Sequence, residues 1–157
     1  MKKLFVIILC FLFCGCSNSK SVESQQFDEY HQIQDRLLQQ TKFDVECDFD
    51  VYVVYNELEN QYRYDLIIDN PDNLMYDITA MCYCNENIDD IFPCIGIFDD
   101  DLFHLKKDYV NKEEGYYKGI QLSGVSSMRE EIKLYVSYYD EKNDKIELFL
   151  EVSDEIR

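Results

Sequence analysis

The chain has 157 residues, a formal net charge of −17 from 32 acidic and 15 basic side chains, and 46% hydrophobic residues. Its length and hydrophobic content are sufficient for one folded domain, which excludes an acidic disordered tail. The negative charge argues against nucleic acid as a partner and against electrostatic binding to anionic lipid, because both require clustered lysine and arginine.

The first residues have the pattern of an export signal. Lys2 and Lys3 precede ten apolar residues, which run from Leu4 to Phe13. A basic start followed by a short apolar run is typical of a secretory signal. The run is shorter than the roughly 20 residues that span a bilayer. The sequence therefore predicts a signal peptide over residues 1–15.

The signal ends in Phe13, Cys14, Gly15 and Cys16, a sequence that resembles the lipobox of bacterial lipoproteins. The resemblance implies cleavage before Cys16 and transfer of diacylglycerol to its sulfur. Two acyl chains hold a protein stably on a membrane, since each buried CH₂ contributes about 0.8 kcal/mol. The implied location is the extracytoplasmic face of the cell membrane. An ordinary secretory signal or an uncleaved anchor is the alternative.

A polar stretch and a short helix are predicted next. Residues 16–26 are rich in serine and glutamine, which predicts a flexible tether that carries the lipid at its first residue. Residues 27–41 have helical periodicity, and Ser24 is the expected N-terminal cap. We expect this helix to pack on its own domain, with partner binding as the alternative. The periodic apolar positions are Phe27, Tyr30, Ile33, Leu37 and Leu38.

After Thr41 the apolar period changes from helical spacing to two. Alternation of apolar and polar side chains predicts half-buried antiparallel strands. Two weaker segments of the same kind surround Gly96 and Gly119. The five regular runs cover residues 45–55, 62–69, 74–82, 132–138 and 146–152.

About seven strands without intervening helices predict an all-β domain over residues 42–157, arranged as an antiparallel β-sandwich. The pattern resembles the immunoglobulin-like or fibronectin-III-like domains of bacterial surface proteins, although the chain contains no Trp. A small closed barrel is the alternative. Residues 85–115 are the least regular part, and a long loop of this kind is the first place to expect a recognition surface.

Four cysteines remain in the predicted domain: Cys47, Cys82, Cys84 and Cys94. In an exported protein, such cysteines are candidates for disulfides. Cys82 and Cys84 lie two positions apart on one strand, so their Cα atoms are about 6.5–7 Å apart, at the limit for a direct bridge. We therefore expect Cys94 to pair with Cys82 or Cys84. Free buried thiols are the alternative.

No metal site or cofactor is predicted. Cys82, Cys84, Cys94 and His104 offer zinc ligands, but a single residue between the first two cysteines is too few for a zinc site. The acidic residues at 89–90 and 99–101 offer calcium ligands, although such runs are usually solvated surface. The segment 140–151 has lysine where a calcium loop requires glycine, and is rejected.

The sequence contains none of the nucleophile, metalloprotease or phosphate-loop motifs, and His31 and His104 are its two histidines. We therefore predict that the protein is not an enzyme. The leading hypothesis is a binding module at the cell envelope, with another protein or a cell-wall component as partner. A small-ligand or ion-binding accessory subunit is the alternative. Four tyrosines suggest an aromatic recognition patch, against the simpler interpretation that they pack: Tyr116, Tyr117, Tyr135 and Tyr139.

Overall fold

The computed structural model describes residues 21–85 and 91–153. Its helix, α1, is Val22–Gln39, and a 3₁₀ turn occupies Lys112–Glu114. The strands in chain order are β1 Asp50–Leu58, β2 Gln61–Asp69, β3 Tyr76–Tyr83, β4 Cys94–Ile95, β5 His104–Leu105, β6 Tyr116–Tyr117, β7 Gly119–Ser126, β8 Ile132–Tyr139 and β9 Lys145–Val152.

Two antiparallel sheets make up most of this structure. Their strand orders are β1-β2-β7 and β4-β3-β8-β9. β8 and β9 form a hairpin closed by Asp140, whose carboxylate accepts the backbone N–H groups of Lys142 and Asp144 at 2.8 and 2.9 Å. The predicted antiparallel all-β class is thus confirmed in its general form, and α1 is the one α-helix of the described residues.

The main core lies between the facing sides of the two sheets. In β2 every second side chain, Tyr64, Leu66 and Ile68, is fully buried. These residues share one cluster with inward side chains of the other sheet, such as Leu134 and Val136. Because successive strand side chains point to opposite faces, the period of two in the sequence becomes an apolar and a polar side of each sheet.

A second core lies under the helix. Tyr30, Ile33 and Leu37 of α1 are buried against the outward face of the four-stranded sheet, where they meet Met81 and Tyr135. The helix therefore packs on its own domain, as expected. Since β8 is covered by the other sheet on one side and by α1 on the other, nearly all of its side chains are buried.

An ion pair fixes the C-terminal half of α1 to this sheet. The Arg36 guanidinium lies 5.3 and 5.2 Å from the ring centres of Tyr135 and Phe149. It donates two hydrogen bonds, of 3.3 and 2.8 Å, to the carboxylate of Glu147 on β9. The Tyr135 hydroxyl donates a further bond to Glu147 at 2.9 Å. Glu147 thus joins the helix to the sheet beneath it.

The helix begins earlier than the sequence indicated. Ser21, and not Ser24, is its cap, and the Ser21 hydroxyl accepts the backbone N–H of Ser24 at 3.2 Å. Residues 22–26, predicted as tether, are helical, because serine at a cap and glutamate and glutamine within a helix are all favourable. Cys16 and residues 17–20 of the predicted tether lie outside the described residues.

The first strand begins later than the sequence indicated. The alternation starts at Val45, but that side chain is 96% exposed and β1 begins at Asp50. The preceding segment instead covers the edge of β9. Asp44 donates its backbone N–H to the Phe149 carbonyl at 2.7 Å, and its carboxylate accepts the Phe149 N–H at 2.8 Å. Alternation alone did not separate strand from this edge cover.

The irregular segment predicted at 85–115 contains two strands of only two residues, β4 and β5. β5 pairs in parallel with β6, with His104 opposite Tyr116 and Leu105 opposite Tyr117. Leu105 also exchanges two backbone hydrogen bonds with Met75, of 2.9 and 3.0 Å. The segment is therefore fixed onto the start of β3, and this placement forms one wall of the site described next.

Candidate functional site

A groove of about 230 Å³ lies at one end of the sheets, where three separate segments meet. They are the end of β2 with its following turn (69–71), the turn after β5 (106–110), and Lys118 just before β7. The Met75–Leu105 pairing brings the second segment to the first. Gly119 brings the third, because it lies opposite Asp69 and a Cβ there would stand 3.0 Å from the Asp69 Cβ.

Three lysines line the groove: Lys106, Lys107 and Lys118. The Lys106 ammonium lies 5.2 Å from the centre of the Tyr109 ring. The Lys107 ammonium lies 3.5 Å from the Asp72 carboxylate, but both side chains are more than half exposed. Such a pair contributes at most about 1 kcal/mol. With two carboxylates in the lining, those of Asp69 and Asp108, the groove has a local excess of positive charge in a strongly acidic chain.

A cluster of four rings supports the groove from behind. Tyr109 meets Tyr116 edge to face, with ring centres 5.0 Å apart. Tyr116 and Tyr76 each contact His104, at 5.0 and 5.2 Å. The pKa of Tyr116 is raised to about 12, chiefly by its hydrogen bond with Tyr76 and then by burial. The Tyr116 hydroxyl thus stays protonated at neutral pH, and its hydrogen bond with Tyr76 links two rings of the cluster.

His104 has a structural role in this cluster. Its Nδ1 accepts the backbone N–H of Asp77 at 2.9 Å, which assigns the proton of the neutral ring to Nε2. Asp77 has a φ of +49°, so the ring stabilises a backbone conformation that is uncommon for aspartate. The backbone N–H of His104 donates a hydrogen bond of 2.8 Å to the carbonyl oxygen of Gly115, whose φ is +77°.

The cysteines do not form the expected disulfide. All four of Cys47, Cys82, Cys84 and Cys94 are free thiols in the structure. Cys94 lies opposite Met81 on the helix side of the sheet, whereas Cys82 and Cys84 point into the core between the sheets. Directly opposed residues of an antiparallel pair share one face, so the backbone itself separates Cys94 from its expected partners.

The zinc and calcium candidates are also dispersed. No group of three or more metal-binding side chains occurs among residues 21–85 and 91–153. Asp99 instead accepts the Gly96 N–H at 2.8 Å within its own turn. The acidic residues at 89–90 lie outside the described residues. His31 lies on the helix surface, where its Nδ1 is 3.2 Å from the Gln34 side-chain oxygen.

The four tyrosines suggested as a recognition patch lie in separate places. Tyr116 belongs to the ring cluster, and Tyr117 packs on Phe103 with centres 5.3 Å apart. Tyr135 is 1% exposed beneath α1, and Tyr139 ends β8. The simpler interpretation, that these tyrosines pack, therefore describes them better.

The groove overlaps the segment in which the sequence predicted a recognition surface, but its lysines were not singled out. Residues 106–110 fall within the segment predicted to carry a recognition surface. One signal was available: Lys106 and Lys107 are the only adjacent basic pair after the leader in a chain of net charge −17. Asp69 to Pro71 and Lys118 gave no such signal, because their proximity depends on strand register.

No helix within the described part of the chain is long and apolar enough to cross a membrane. The chain matches no protein-family model, no curated protein and no solved structure.

Proposed function

We propose that this protein is a lipid-anchored, non-catalytic binding module on the extracytoplasmic face of the cell membrane, with the lysine groove as its binding site. The observation that carries the proposal is the meeting of three lysines from two segments in one groove of an acidic protein. Concave sites with a few convergent polar groups are the usual form of a ligand site.

The lipid anchor rests on the leader, and the start of α1 limits the length of the linker that follows Cys16. Cys16 precedes the cap Ser21 by five positions. Five residues reach at most ~17 Å when fully extended. Acylation of Cys16 would therefore hold the folded part close to the membrane, and the groove would meet ligands of the cell envelope.

An immunoglobulin-like or fibronectin-III-like sandwich is part of the same proposal. If β1, β2, β3, β4, β7, β8 and β9 are lettered A, B, C, C′, E, F and G, the sheet orders become A-B-E and C′-C-F-G. The immunoglobulin constant arrangement has A-B-E-D and C-F-G. The two differ in whether the strand between C and E joins the first or the second sheet. Domains of this architecture commonly present binding surfaces on loops at the ends of the sandwich, where the groove lies.

The absence of catalysis is supported by the character of the groove side chains. Its described lining contains lysines, carboxylates, Asn70, Tyr109 and two apolar residues, and no histidine or cysteine. His104, behind the groove, already uses Nδ1 to accept the Asp77 amide. The arrangement is therefore suited to holding a charged group.

Site-specific photocrosslinking in native membranes tests the groove as a binding site. A photoreactive residue at Val110, which is 53% exposed at the groove, is compared with one at Met128, which is 50% exposed beyond the far end of β7. We expect a reproducible partner adduct from position 110 that is missing at position 128. Equal adducts from both positions, or none from position 110 in repeated experiments, would refute the groove as the binding surface.

Membrane fractionation tests the anchor separately. The Cys16→Ala variant is expected to leave the membrane fraction after a carbonate wash, whereas a Cys47→Ala variant stays with it. Retention of Cys16→Ala would show that something other than an acyl chain holds the protein on the membrane.

A small-ligand accessory subunit remains the second candidate, favoured by the size of the groove. Its volume of about 230 Å³ is below the roughly 300–1,000 Å³ of pockets that enclose drug-sized ligands. A site of this size holds one small molecule or one unit of a longer chain. A small-molecule adduct at position 110, without a protein adduct, would favour this candidate.

A further inference from the structure

We infer that the groove binds an oxyanion, a phosphate or carboxylate group, carried by a small ligand or by one unit of a polymer. This inference rests on the proposed binding function and adds the chemistry of the ligand.

Cations are scarce in this chain and are concentrated here. Of the 15 basic residues, Lys2, Lys3, Lys20 and Arg157 lie outside the described part, which leaves 11. Three of those 11 line a single groove of about 230 Å³. Asp69 and Asp108 in the same lining offset two of the three charges, which leaves one net positive charge among the lining residues.

Among the described residues, two of the three groove lysines, Lys106 and Lys118, are not held in an ion pair like that of Lys107 with Asp72. Arg36, Arg63 and Lys145 each lie within 3.4 Å of a carboxylate oxygen, on Glu147, Asp65 and Glu147 respectively. Within residues 21–85 and 91–153, neither Lys106 nor Lys118 has a carboxylate within the 4.0 Å of an ion pair. Two ammonium groups with unused donors therefore face the groove, and each offers three N–H bonds to an anion.

The rest of the lining limits what carries the oxyanion. Pro71, Tyr109 and Val110 supply an apolar side, and the Tyr109 ring is held in place by Lys106 and Tyr116. Asp69 and Asp108 supply acceptors for hydroxyl groups. Asp69 already accepts the Tyr52 hydroxyl at 3.2 Å, which fixes its carboxylate at the rim. A ligand that matches this lining carries a compact anionic group together with apolar and hydroxyl groups.

Lysine footprinting of the full-length lipidated protein in detergent micelles tests the inference. An amine-acetylating reagent is applied with inorganic phosphate, with acetate, or with sodium chloride at the same ionic strength, and each lysine is quantified by mass spectrometry. Phosphate or acetate is expected to slow labelling of Lys106, Lys107 and Lys118 by roughly three-fold at twice the dissociation constant. Labelling of Lys142, an exposed lysine in the β8–β9 turn, should not change.

Two variants make the test specific. Lys118→Gln should weaken protection of Lys106 and Lys107 by about five- to ten-fold in apparent affinity, and Lys142→Gln should leave it unchanged. The phosphate and acetate arms show which of the two oxyanions is preferred. Equal protection of Lys142, or no protection by either anion beyond chloride, would overturn the inference. If position 110 still crosslinked a partner, the binding function would stand and only its anionic chemistry would be wrong.

Discussion

The outward face of each sheet carries a hydrogen-bonded carboxylate, but a helix covers one face and the other is exposed to solvent. On the four-stranded sheet, Glu147 binds Arg36, which lies 111 positions away on α1. On the three-stranded sheet, Asp65 accepts hydrogen bonds from Ser123 at 2.6 Å, Gln121 at 2.9 Å and Arg63 at 2.9 Å. Asn56 donates a fourth hydrogen bond at 3.4 Å, and all four partners of Asp65 lie in its own sheet. Glu147 thus holds α1 on its sheet, whereas Asp65 accepts hydrogen bonds from its own sheet, whose outward face stays exposed.

The difference follows from the apolar content of the two faces. Met81, Tyr135 and Phe149 form a continuous apolar area under α1, which would be costly to leave in water. On the other face, Tyr52, Val54 and Ile67 lie among polar side chains such as Asp65 and Gln121. The polar side chains there hydrogen-bond to one another, so the face is stable without a helix packed on it. Apolar area therefore determines whether a face is covered, and the carboxylate only fixes the position of the helix that covers it.

The largest effect is expected from removing apolar area under the helix. Leu37 is fully buried, whereas its neighbour Leu38 is 46% exposed. Leu37→Ala should lower the free energy of unfolding by about 2–5 kcal/mol, and Leu38→Ala by roughly 0.5 kcal/mol or less. Denaturant unfolding of the two variants measures this. Equal losses would mean that α1 is not held by its apolar face.

Removing the Glu147 carboxylate should have a smaller effect that is confined to the helix. Glu147→Gln is expected to lower the free energy of unfolding by about 1 kcal/mol, because the lost ion pair with Arg36 is partly exposed. Amide hydrogen exchange should accelerate in α1. Asp65→Asn is the matched control on the open face, and it should leave exchange in α1 unchanged. Acceleration by both variants would show that the two faces are not independent.

The Glu147 carboxyl also predicts that α1 is less firmly held at acidic pH. The hydrogen bond from Arg36 lowers the pKa of Glu147 from 4.5 to about 2, although partial burial opposes the shift. A carboxyl whose pKa is depressed in the folded state stabilises that state fully above pH 4.5 and loses its contribution as the pH falls towards 2. Exchange in α1 should therefore accelerate across this window. In Glu147→Gln this part of the pH dependence should vanish, and its persistence would assign it to other groups.

The smallest effect concerns thiol reactivity on the two faces of the four-stranded sheet, with Cys94 on the helix side and Cys82 in the core between the sheets. Burial raises the pKa of Cys94 to about 11 and raises that of Cys82 still further. Neither thiol should react quickly with maleimide in the folded protein. Cys94, on the helix side, should become reactive in Glu147→Gln before Cys82 does. A disulfide between Cys94 and Cys82 or Cys84, found by non-reducing peptide mapping, would contradict the separation of the two faces.

Much of the fold was predictable because the information is local. The five alternating runs correspond to β1, β2, β3, β8 and β9, and the helical spacing from Phe27 corresponds to α1. Errors occurred where local signals are ambiguous. At Val45 the alternation continues into a segment that covers an edge, and at Ser24 a second serine three positions earlier provides the cap. β4, β5 and β6 were too short to have a period.

The sequence by itself determined which side of each strand and of the helix is apolar, because side-chain direction repeats every 2 or about 3.6 residues whatever the rest of the chain does. It also carried the leader that predicts the lipid anchor. Only the tertiary structure decided which faces and segments meet. Strand register placed Lys118 beside Asp69, the Met75–Leu105 pairing brought in Lys106 and Lys107, and the pleat of β3 and β4 put Cys94 on the side away from Cys82. Such pairings join positions far apart in the chain, so no local pattern records them.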